Sequence, residues 1–219
     1  MFCPPWSPRL DPPKNRVLQS GHHQLRQALM RVIAGSQKGR RLIPPRGSGV
    51  RPTADRVKEA LFSILGERTI GARFLDLYAG TGAIGIEALS RGATRATFVE
   101  PDQASLHVLR ANLDRCGMAT FADVRPRTVE AFLRRPRQPD LVYDIIFADP
   151  PYHEDSGLKL LPSLDRAAIM TRDSIVILEH FNKVTVPPEV GRLIRKRQYS
   201  YGDTILSVFG VRNEGKPFP

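Results

Sequence analysis

Apolar residues recur along most of this chain with two periods, one typical of strands and one typical of helices. The short apolar runs predict strands at 73–78, 96–100, near 124, 143–148 and 174–179, and longer segments with apolar residues every three or four positions predict helices at 83–91, 103–116, 129–133 and 158–168. Alternation at this spacing requires parallel strands with crossover helices. The pattern therefore predicts an α/β fold, a three-layer sandwich with a mostly parallel sheet.

The last two predicted strands, 193–199 and 204–211, have no helical segment between them. They are joined by a short polar turn that begins at Tyr201 and continues with Gly202 and Asp203. A connection this short cannot hold a crossover helix, so we expect the two strands to pair antiparallel.

The beginning of the chain shows neither period. Residues 1–29 are rich in proline, and we interpret them as a disordered extension. From Met30, two short apolar runs surround a glycine-containing turn and predict a small basic β-hairpin. Together with the helix that follows, this hairpin makes up residues 30–66, and we expect residues 67–219 to form the main domain.

A helix is predicted after the proline- and glycine-rich link at 44–52. Thr53 can cap its start, and Gly66 ends it. Its apolar residues fall at helical spacing: Val57, Leu61, Ile64 and Leu65.

The composition fits one globular unit, since 219 residues with 41% hydrophobic content can bury one core. The only cysteines are Cys3 and Cys116, so neither a disulfide framework nor a cysteine metal site is available, and we expect no bound metal. No apolar run approaches the roughly 18 residues of a membrane span, and residues 1–29 lack the apolar stretch of a signal peptide. We expect a cytoplasmic monomer that does not enter membranes.

The charge balance indicates a polyanionic partner. Lys and Arg outnumber Asp and Glu by 33 to 22, which gives a net charge of +11, and residues 31–58 alone contribute +7. Nucleic acid is the first partner to consider, because basic groups neutralise phosphates and release counterions. The alternative is a solvated charged face. We expect RNA contacts from Arg31, Lys38, Arg40, Arg41, Arg46, Arg51 and Arg56, with Lys58 in the same basic stretch.

A glycine motif lies between a predicted strand and a predicted helix. Gly80, Gly82 and Gly85 match the spacing G-x-G-x-x-G, which lets a backbone approach a ligand closely. Glu100 ends the next strand, where its carboxylate can accept hydrogen bonds from ribose hydroxyls. A cofactor that carries a nucleoside is therefore expected.

NAD and S-adenosylmethionine both fit this arrangement, and Asp76 distinguishes them. A carboxylate four positions before Gly80 would repel the pyrophosphate of NAD. It suits the positively charged, phosphate-free S-adenosylmethionine. The alternative is that Asp76 only caps the turn. We expect cofactor contacts from Asp76, Tyr78, Ala79, Gly80, Gly82, Gly85, Glu100 and Thr128.

A second motif, Asp149-Pro-Pro-Tyr, follows the fourth predicted strand at the edge where open α/β sheets bind ligands. The prolines fix the backbone and remove two N–H donors, so carbonyl groups can face a substrate. An exocyclic amine bonded to the Asp149 carboxylate and the Pro150 carbonyl would be oriented for methylation. Tyr152 offers a ring on which a base can stack. We expect Asp149, Pro150 and Tyr152 to act in catalysis, with Asp149 as proton acceptor or only as an orienting group.

From residue 30 to about 211 the sequence resembles the bacterial 16S ribosomal RNA guanine-N2 methyltransferases. The resemblance rests on several segments in order: Met30-Arg-Val-Ile-Ala-Gly, Gly39-Arg, Arg51-Pro-Thr-Ala-Asp-Arg-Val-Lys-Glu-Ala-Leu-Phe, Asp76-Leu-Tyr-Ala-Gly-Thr-Gly-Ala-Ile-Gly, Asp149-Pro-Pro-Tyr and Tyr201-Gly-Asp-Thr. It implies a seven-stranded, Rossmann-like class I methyltransferase fold, S-adenosylmethionine as methyl donor, and a guanine of 16S ribosomal RNA in the small subunit or its assembly particle as substrate. Thr128 stands where that family often has Asp or Asn to hold the adenine amino group.

Three other functions remain open. One is the same chemistry on another amine, an adenine N6 in DNA or RNA or a glutamine side chain of a protein. Enzymes for those amines usually have Asn where this chain has Asp149. The second is a non-catalytic RNA-binding protein that kept the fold, and the third is an NAD-dependent enzyme, which the Asp-Pro-Pro-Tyr segment does not explain.

Overall fold

A mixed β-sheet forms the centre of the computed structural model, which describes residues 30–45, 52–134, 141–151 and 156–212. Within these ranges the sheet has eight strands: β1 (Arg73–Asp76), β2 (Arg95–Val99), β3 (Ala122–Arg125), β4 (Tyr143–Ala148), β5 (Met170–Phe181), β6 (Glu189–Val190), β7 (Leu193–Tyr201) and β8 (Thr204–Val211). The helices are α1 (Pro52–Leu65), α2 (Ala83–Ser90), α3 (Gln103–Arg115), α4 (Val129–Leu133) and α5 (Ser156–Arg166). Among the helices of these ranges, none is long and apolar enough to cross a membrane.

The strand order is β3-β2-β1-β4-β5-β8-β7-β6. Strands β1 to β5 pair in parallel, and β8, β7 and β6 continue the sheet antiparallel. The expected α/β fold and the antiparallel pairing of the last two long strands are confirmed. The expected seven strands become eight in the described residues, because Glu189–Val190 adds a short edge strand. Two residues are too few to show a period, so the hydrophobic pattern could not predict it.

The two faces of the sheet carry separate apolar clusters, which makes the fold three layers deep. Phe74, Phe98 and Phe147 are buried under α1, α2 and α3 on one face. Leu75 and Ile146 are buried under α4 and α5 on the other. Neighbouring residues of β1 thus point to opposite faces and both are covered, which is why the central strands read as continuous apolar runs.

Residues 30–45, called here the N-terminal segment, turn back on themselves but form no strands. Arg31 and Arg41 make an isolated antiparallel bridge, and the N–H of Val32 donates to the carbonyl oxygen of Arg40 (2.9 Å). The two predicted runs therefore pair around the turn as expected, but over too short a length for a regular hairpin. Val32 is buried in the apolar cluster under α1, so its side chain docks the segment onto the helices.

Helix α1 begins one residue earlier than its predicted cap. Its first residue is Pro52, which suits the first turn of a helix because no N–H is needed there. Thr53 therefore lies inside the first turn and is not the capping residue. Gly66 follows the last residue of α1 with φ of +52°, and it ends the helix as predicted.

A buried ion pair fastens the N-terminal segment to the helices. The Glu87 carboxylate on α2 is fully buried and accepts hydrogen bonds from the backbone N–H groups of Ile33 (2.7 Å) and Ala34 (2.9 Å). Nζ of Lys58 lies 3.8 Å from Oε2 of Glu87 and donates to the carbonyl oxygen of Arg31 (2.6 Å). Lys58 is only 3% exposed, so it does not belong to the basic surface with which the sequence grouped it.

We expect Glu87→Ala to destabilise the protein by about 3–5 kcal/mol, because it removes the counter-charge of the buried Lys58 ammonium and the acceptor of two backbone N–H groups. Glu87→Gln keeps an acceptor oxygen and should cost less. Glu59→Ala, at an exposed position of α1, should change the free energy of unfolding by no more than about 0.5 kcal/mol. Urea denaturation measures all three, and a loss below about 1 kcal/mol for Glu87→Ala would show that the pair is not needed.

Candidate active site

A row of acidic side chains lies at the carboxyl edge of the parallel strands. In the sheet register, Asp76 lies beside Phe98 on β2 and Phe147 on β4. Glu100 and Asp149 follow two residues later, so strand alternation places them on the same face as Asp76. Burial raises the pKa of the Asp76 carboxyl, and the charges of Asp149 and Glu100 raise it further. Within the described residues, no three His, Cys, Asp or Glu side chains are placed to hold a metal ion.

Glu179 on β5 belongs to the same row, and the sequence analysis missed it. Strands β4 and β5 are in register at Ala148 and Leu178, so Asp149 and Glu179 follow side by side. Burial and the nearby charge of Asp149 raise the pKa of Glu179 to about 8. The signal was present, since an acidic residue after an apolar strand is the pattern that selected Glu100.

The glycine loop between β1 and α2 owes its shape to two residues with positive φ. Gly80 has φ of +52° and Gly82, the N-cap of α2, has φ of +84°. A Cβ on Gly82 would overlap the side chain of Leu109, whereas a Cβ on Gly80 would have no neighbour within 4 Å. Gly80 therefore faces open space where a ligand can approach the backbone.

Gly85 allows α2 to pack closely against the sheet and does not open the loop to a ligand. A Cβ at this position would overlap the ring of Phe98, so its small size lets α2 lie close against β2. Its N–H donates to Oδ2 of Asp76 (3.2 Å). Gly85 therefore acts on the expected cofactor site indirectly, by holding Asp76 and the start of the helix.

Asp76 is 1% exposed and is the most deeply buried carboxyl group of the row. Burial raises its pKa to about 7, although hydrogen bonds from the N–H groups of Gly85 and Tyr78 act in the opposite direction. No described Lys, Arg or His forms an ion pair with it. A buried carboxylate without a counter-charge favours a positively charged ligand.

Glu100 holds the glycine loop in place. Its Oε2 accepts a hydrogen bond from the N–H of Gly80 (2.8 Å), and its Oε1 accepts one from the N–H of Asp102 (2.8 Å). Each carboxylate oxygen has two lone pairs, so both can still accept a hydroxyl donor. The expected contact with a ribose is compatible with this geometry.

Tyr78 and Ala79 lead from β1 into the loop. Ala79 is buried, and its N–H donates to the carbonyl oxygen of Val99 (3.1 Å), so the chain stays in the sheet up to this point. Tyr78 is half-buried, and burial and the charge of Glu130 raise its pKa to about 12. Its hydroxyl is therefore neutral at physiological pH and can donate a hydrogen bond.

Thr128 already has a structural partner. It is the N-cap of α4, and its hydroxyl oxygen accepts a hydrogen bond from the N–H of Ala131 (3.2 Å). The side chain is exposed, and its hydroxyl proton remains available. A hydroxyl offers one small polar group, whereas the Asp or Asn side chain expected here from the resemblance would offer two polar atoms.

The second motif leaves β4 directly beside the glycine loop. Asp149 is half-buried, and burial raises its pKa to about 6. Pro150 is buried and Pro151 is exposed. Tyr152, the expected stacking residue, lies outside the described residues, so its role stays a prediction.

Two tyrosines from β7 stand near the acidic row. Strand β8 pairs Leu206 with Glu179 on one side and with Tyr199 on the other, and Tyr201 follows on the same face of β7. Both tyrosines are partly buried against the cluster that contains Phe147. The far wall of the site is therefore aromatic, and the sequence analysis noted Tyr201 only as part of a turn.

Most of the basic residues that the sequence predicts to contact RNA lie on the surface of the protein. The side chains of Arg31, Lys38, Arg40, Arg41 and Arg56 are exposed. Arg46 and Arg51 lie outside the described residues. The exposure of the five described side chains is compatible with phosphate contacts and equally with a solvated face, so the assignment to RNA stays a prediction.

Comparison with known proteins shows the family to which this chain belongs. The family profile described as "Conserved hypothetical protein 95" matches residues 30–210. The chain is 37% identical over 183 residues to the YlbH protein of Bacillus subtilis, covering 84% of this chain and 100% of that one. It is 41% identical over 154 residues to ribosomal RNA small subunit methyltransferase D of Escherichia coli, covering 68% and 74% of the two chains.

Solved structures of methyltransferases share the fold of this chain. The yhhF protein of Escherichia coli matches with a TM-score of 0.73 and 31% identity, over 85% of this chain and 99% of that one. An RNA methyltransferase from Salinibacter ruber in complex with S-adenosyl-L-homocysteine has a TM-score of 0.57 and 17% identity, over 76% and 97%, which shows a shared fold. The glycine loop, the acidic row and these matches lead to one conclusion: the chain belongs to the "Conserved hypothetical protein 95" family, which includes ribosomal RNA small subunit methyltransferase D.

Proposed function

We propose that this protein transfers a methyl group from S-adenosylmethionine to the exocyclic N2 amine of a guanine in 16S ribosomal RNA of the small subunit. The observation that carries the proposal is the position of Asp149, which leaves β4 at the same edge and on the same face as Asp76, beside the glycine loop, with Pro150 next in the chain. Relatives named as small-subunit ribosomal RNA methyltransferases support the coarser statement, methylation of ribosomal RNA.

The residues present fit S-adenosylmethionine. Asp76 provides a buried carboxylate without a cation among the described residues, and Gly80 leaves the loop backbone open to solvent. Glu100 has lone pairs free for hydroxyl groups. S-adenosylmethionine supplies an activated methyl group when bound, so the protein needs to provide alignment and a proton acceptor rather than a nucleophile.

Asp149 and Pro150 would orient the amine. An amine that donates to the Asp149 carboxylate and to the Pro150 carbonyl is held at two points, which fixes the direction of its lone pair. Pro150 and Pro151 have no N–H, so neither competes as a donor at this position. With a pKa of about 6, Asp149 is mostly ionised at neutral pH and can accept the proton that the methylated amine releases.

The pH dependence of methyl transfer should report this carboxylate. We expect the rate at saturating cofactor and RNA to rise through about pH 6 as Asp149 ionises. Glu179→Gln should keep this acid limb, because Glu179, with a pKa of about 8, is already neutral there and glutamine resembles its protonated form. Single-turnover rates between pH 5 and 9 test the assignment. An acid limb that disappears in Glu179→Gln would transfer the role to Glu179.

The N-terminal segment and α1 would position the RNA. Residues 31–58 contribute +7 of the net charge, and their described basic side chains are exposed, except for Lys58. Phosphate contacts set the position of a nucleic acid, while base contacts read its identity. The basic surface would therefore hold the RNA backbone, and the loop after β4 would receive the base.

An in vitro assay tests the proposal. The purified protein is incubated with methyl-labelled S-adenosylmethionine and small subunits from cells that lack this activity, and the ribosomal RNA is digested to nucleosides for mass spectrometry. We expect the label in N2-methylguanosine. Label in N6-methyladenosine would support the adenine alternative, and absence of label in the presence of RNA binding would support the non-catalytic one. Binding of NAD instead of S-adenosylmethionine would contradict all three.

A further inference from the structure

An open depression of about 460 Å³ lies between the turn of the N-terminal segment and the end of α3. Its wall includes four basic side chains: Lys38, Arg40, Arg41 and Arg115. Among the described residues that line it, none is acidic, and Asp114, which precedes Arg115, does not take part. No described carboxylate forms an ion pair with any of the four. The depression therefore concentrates positive charge from two distant parts of the chain.

Arg115 was not among the residues that the sequence pointed to, because it lies on α3 and is separated from Arg40 by 75 positions. The structure places both side chains in the wall of one depression. Burial raises the pKa of Cys116, and the charges of Arg40 and Arg115 both lower it. Both guanidinium groups line the same depression of about 460 Å³, so a single anion there can contact both.

The turn that carries the other three cations is held firmly. The N–H of Ser36 donates to the carbonyl oxygen of Ser90 at the end of α2 (2.8 Å), and the N–H of Gln37 donates to the Ser90 hydroxyl oxygen (3.0 Å). The Ser90 hydroxyl in turn donates to the carbonyl oxygen of Ala34 (2.6 Å). A Cβ on Gly35 would overlap the backbone of Ser90, so the turn lies directly against the helix.

A rigid turn costs an incoming ligand little conformational entropy. The backbone N–H groups of Lys38, Gly39 and Arg40 are all used within the turn, so these three groups leave the binding of an anion to the side chains. Planar guanidinium groups match the geometry of phosphate oxygens. A phosphodiester is therefore the ligand that these groups fit best.

The depression is remote from the acidic row. Helix α3 begins just after Glu100 at the carboxyl edge of the sheet and has 13 residues, so Arg115 lies about 18 Å along the helix from its start. Successive phosphates of one B-form strand advance by about 3.4 Å along the helix axis, so the same length of axis corresponds to about five nucleotides. A phosphate in the depression would thus not be next to the reacting base.

We propose that this depression binds a backbone phosphate of the RNA substrate several nucleotides from the methylated guanine, and that Arg115 completes the site. The proposal rests on the proposed function for the identity of the RNA. It predicts that the site contributes to affinity and position, with no part in the methyl transfer step.

The test compares Arg115→Ala with Arg110→Ala, which removes an exposed arginine of the same helix that does not line the depression. Binding of the small-subunit ribosomal RNA transcript is measured over a range of salt concentrations. We expect Arg115→Ala to weaken binding roughly tenfold and to reduce the slope of log Kobs against log salt by about 0.7. Arg115→Lys should keep most of the slope, and Arg110→Ala should behave as the unmodified protein.

A double-mutant cycle separates a shared site from general charge. If Arg40 and Arg115 hold one phosphate, Arg40→Ala combined with Arg115→Ala should weaken binding less than the product of the single effects. The triple change Lys38→Ala, Arg40→Ala, Arg41→Ala should reduce the slope by about two units at most. Arg110→Ala should keep the single-turnover rate, and a loss of rate in the other variants should be recovered by raising the RNA concentration.

Equal effects of Arg110→Ala and Arg115→Ala would overturn the proposal, since the loss would then reflect total charge. So would a lower rate for Arg115→Ala with unchanged RNA affinity, because the turn would then act on the chemical step. The binding assay does not depend on methylation. If the protein binds RNA through Arg115 but labels no guanosine, the proposed function fails and the phosphate site stands. If the protein labels guanosine and Arg115→Ala binds RNA normally, the phosphate site fails and the proposed function stands.

Discussion

Asp149→Ala is expected to slow methyl transfer at least about a hundredfold, because the amine loses both its orienting carboxylate and its proton acceptor. The affinity for S-adenosylmethionine should change little, since Asp76, Gly80 and Glu100 are untouched. Folding should also persist at neutral pH, because burial disfavours the ionised form of Asp149 in the native protein. Single-turnover kinetics and calorimetry of cofactor binding measure the two effects separately.

Two variants sharpen this experiment. Asp149→Asn keeps one acceptor oxygen but removes the charge, so it should retain more orientation than alanine and lose the acid limb near pH 6. Asp173→Ala removes an exposed carboxylate near the other end of β5 and should leave the rate unchanged. A rate for Asp149→Ala close to that of Asp173→Ala would refute the role given to the loop after β4.

Asp76→Ala and Gly80→Val are expected to abolish measurable S-adenosylmethionine binding while circular dichroism shows a retained fold. Asp76→Ala removes the buried counter-charge for a cationic ligand. Gly80→Val forces a branched side chain into a left-handed backbone and into the open space that the ligand needs. Because the pKa of Asp76 is raised to about 7, the affinity of the unmodified protein should increase with pH through that value and level off above it.

A matched glycine separates ligand access from backbone strain. Gly66 has the same φ of +52° as Gly80, and a Cβ there also meets nothing within 4 Å. Gly66→Val should therefore cost a similar amount of stability, about 1–3 kcal/mol, and leave cofactor affinity intact. Asp76→Asn keeps an acceptor for the Gly85 N–H and should lose the pH dependence of binding. Cofactor affinity that is equal in Gly66→Val and Gly80→Val would mean that the glycine loop does not hold the cofactor.

The hydrophobic pattern predicted the central elements closely, because a strand that is covered on both faces appears in the sequence as a short apolar run. The predicted bounds of β4, β8 and α4 agree with the structure at both ends. The pattern failed where tertiary contacts decide the structure. Strand β6 has two residues and exists only because β7 offers an edge, and the N-terminal segment pairs over one bridge because α2 and α3 hold it.

The sequence predicted those site residues that belong to a motif. It did not predict residues that reach the site only because of the order of the strands and helices. Gly80 and Asp149 belong to motifs that can be recognised from the neighbouring residues in the sequence. Glu179 becomes part of the site only because β5 lies beside β4, and Arg115 joins the basic surface only because α3 ends near the turn. Lys58 shows the opposite case, since its charge suggested a surface residue and its partner Glu87 lies far away in the sequence.

Mass spectrometry of nucleosides from small-subunit ribosomal RNA tests the central claim most directly. RNA is compared from cells that contain the gene for this protein, from a deletion strain, and from that strain carrying either the unmodified protein or Asp149→Ala. We predict that the deletion removes one N2-methylguanosine per small subunit, that the unmodified protein restores it and that Asp149→Ala does not. An unchanged level of N2-methylguanosine in the deletion strain, or a loss of N6-methyladenosine in its place, would contradict the account.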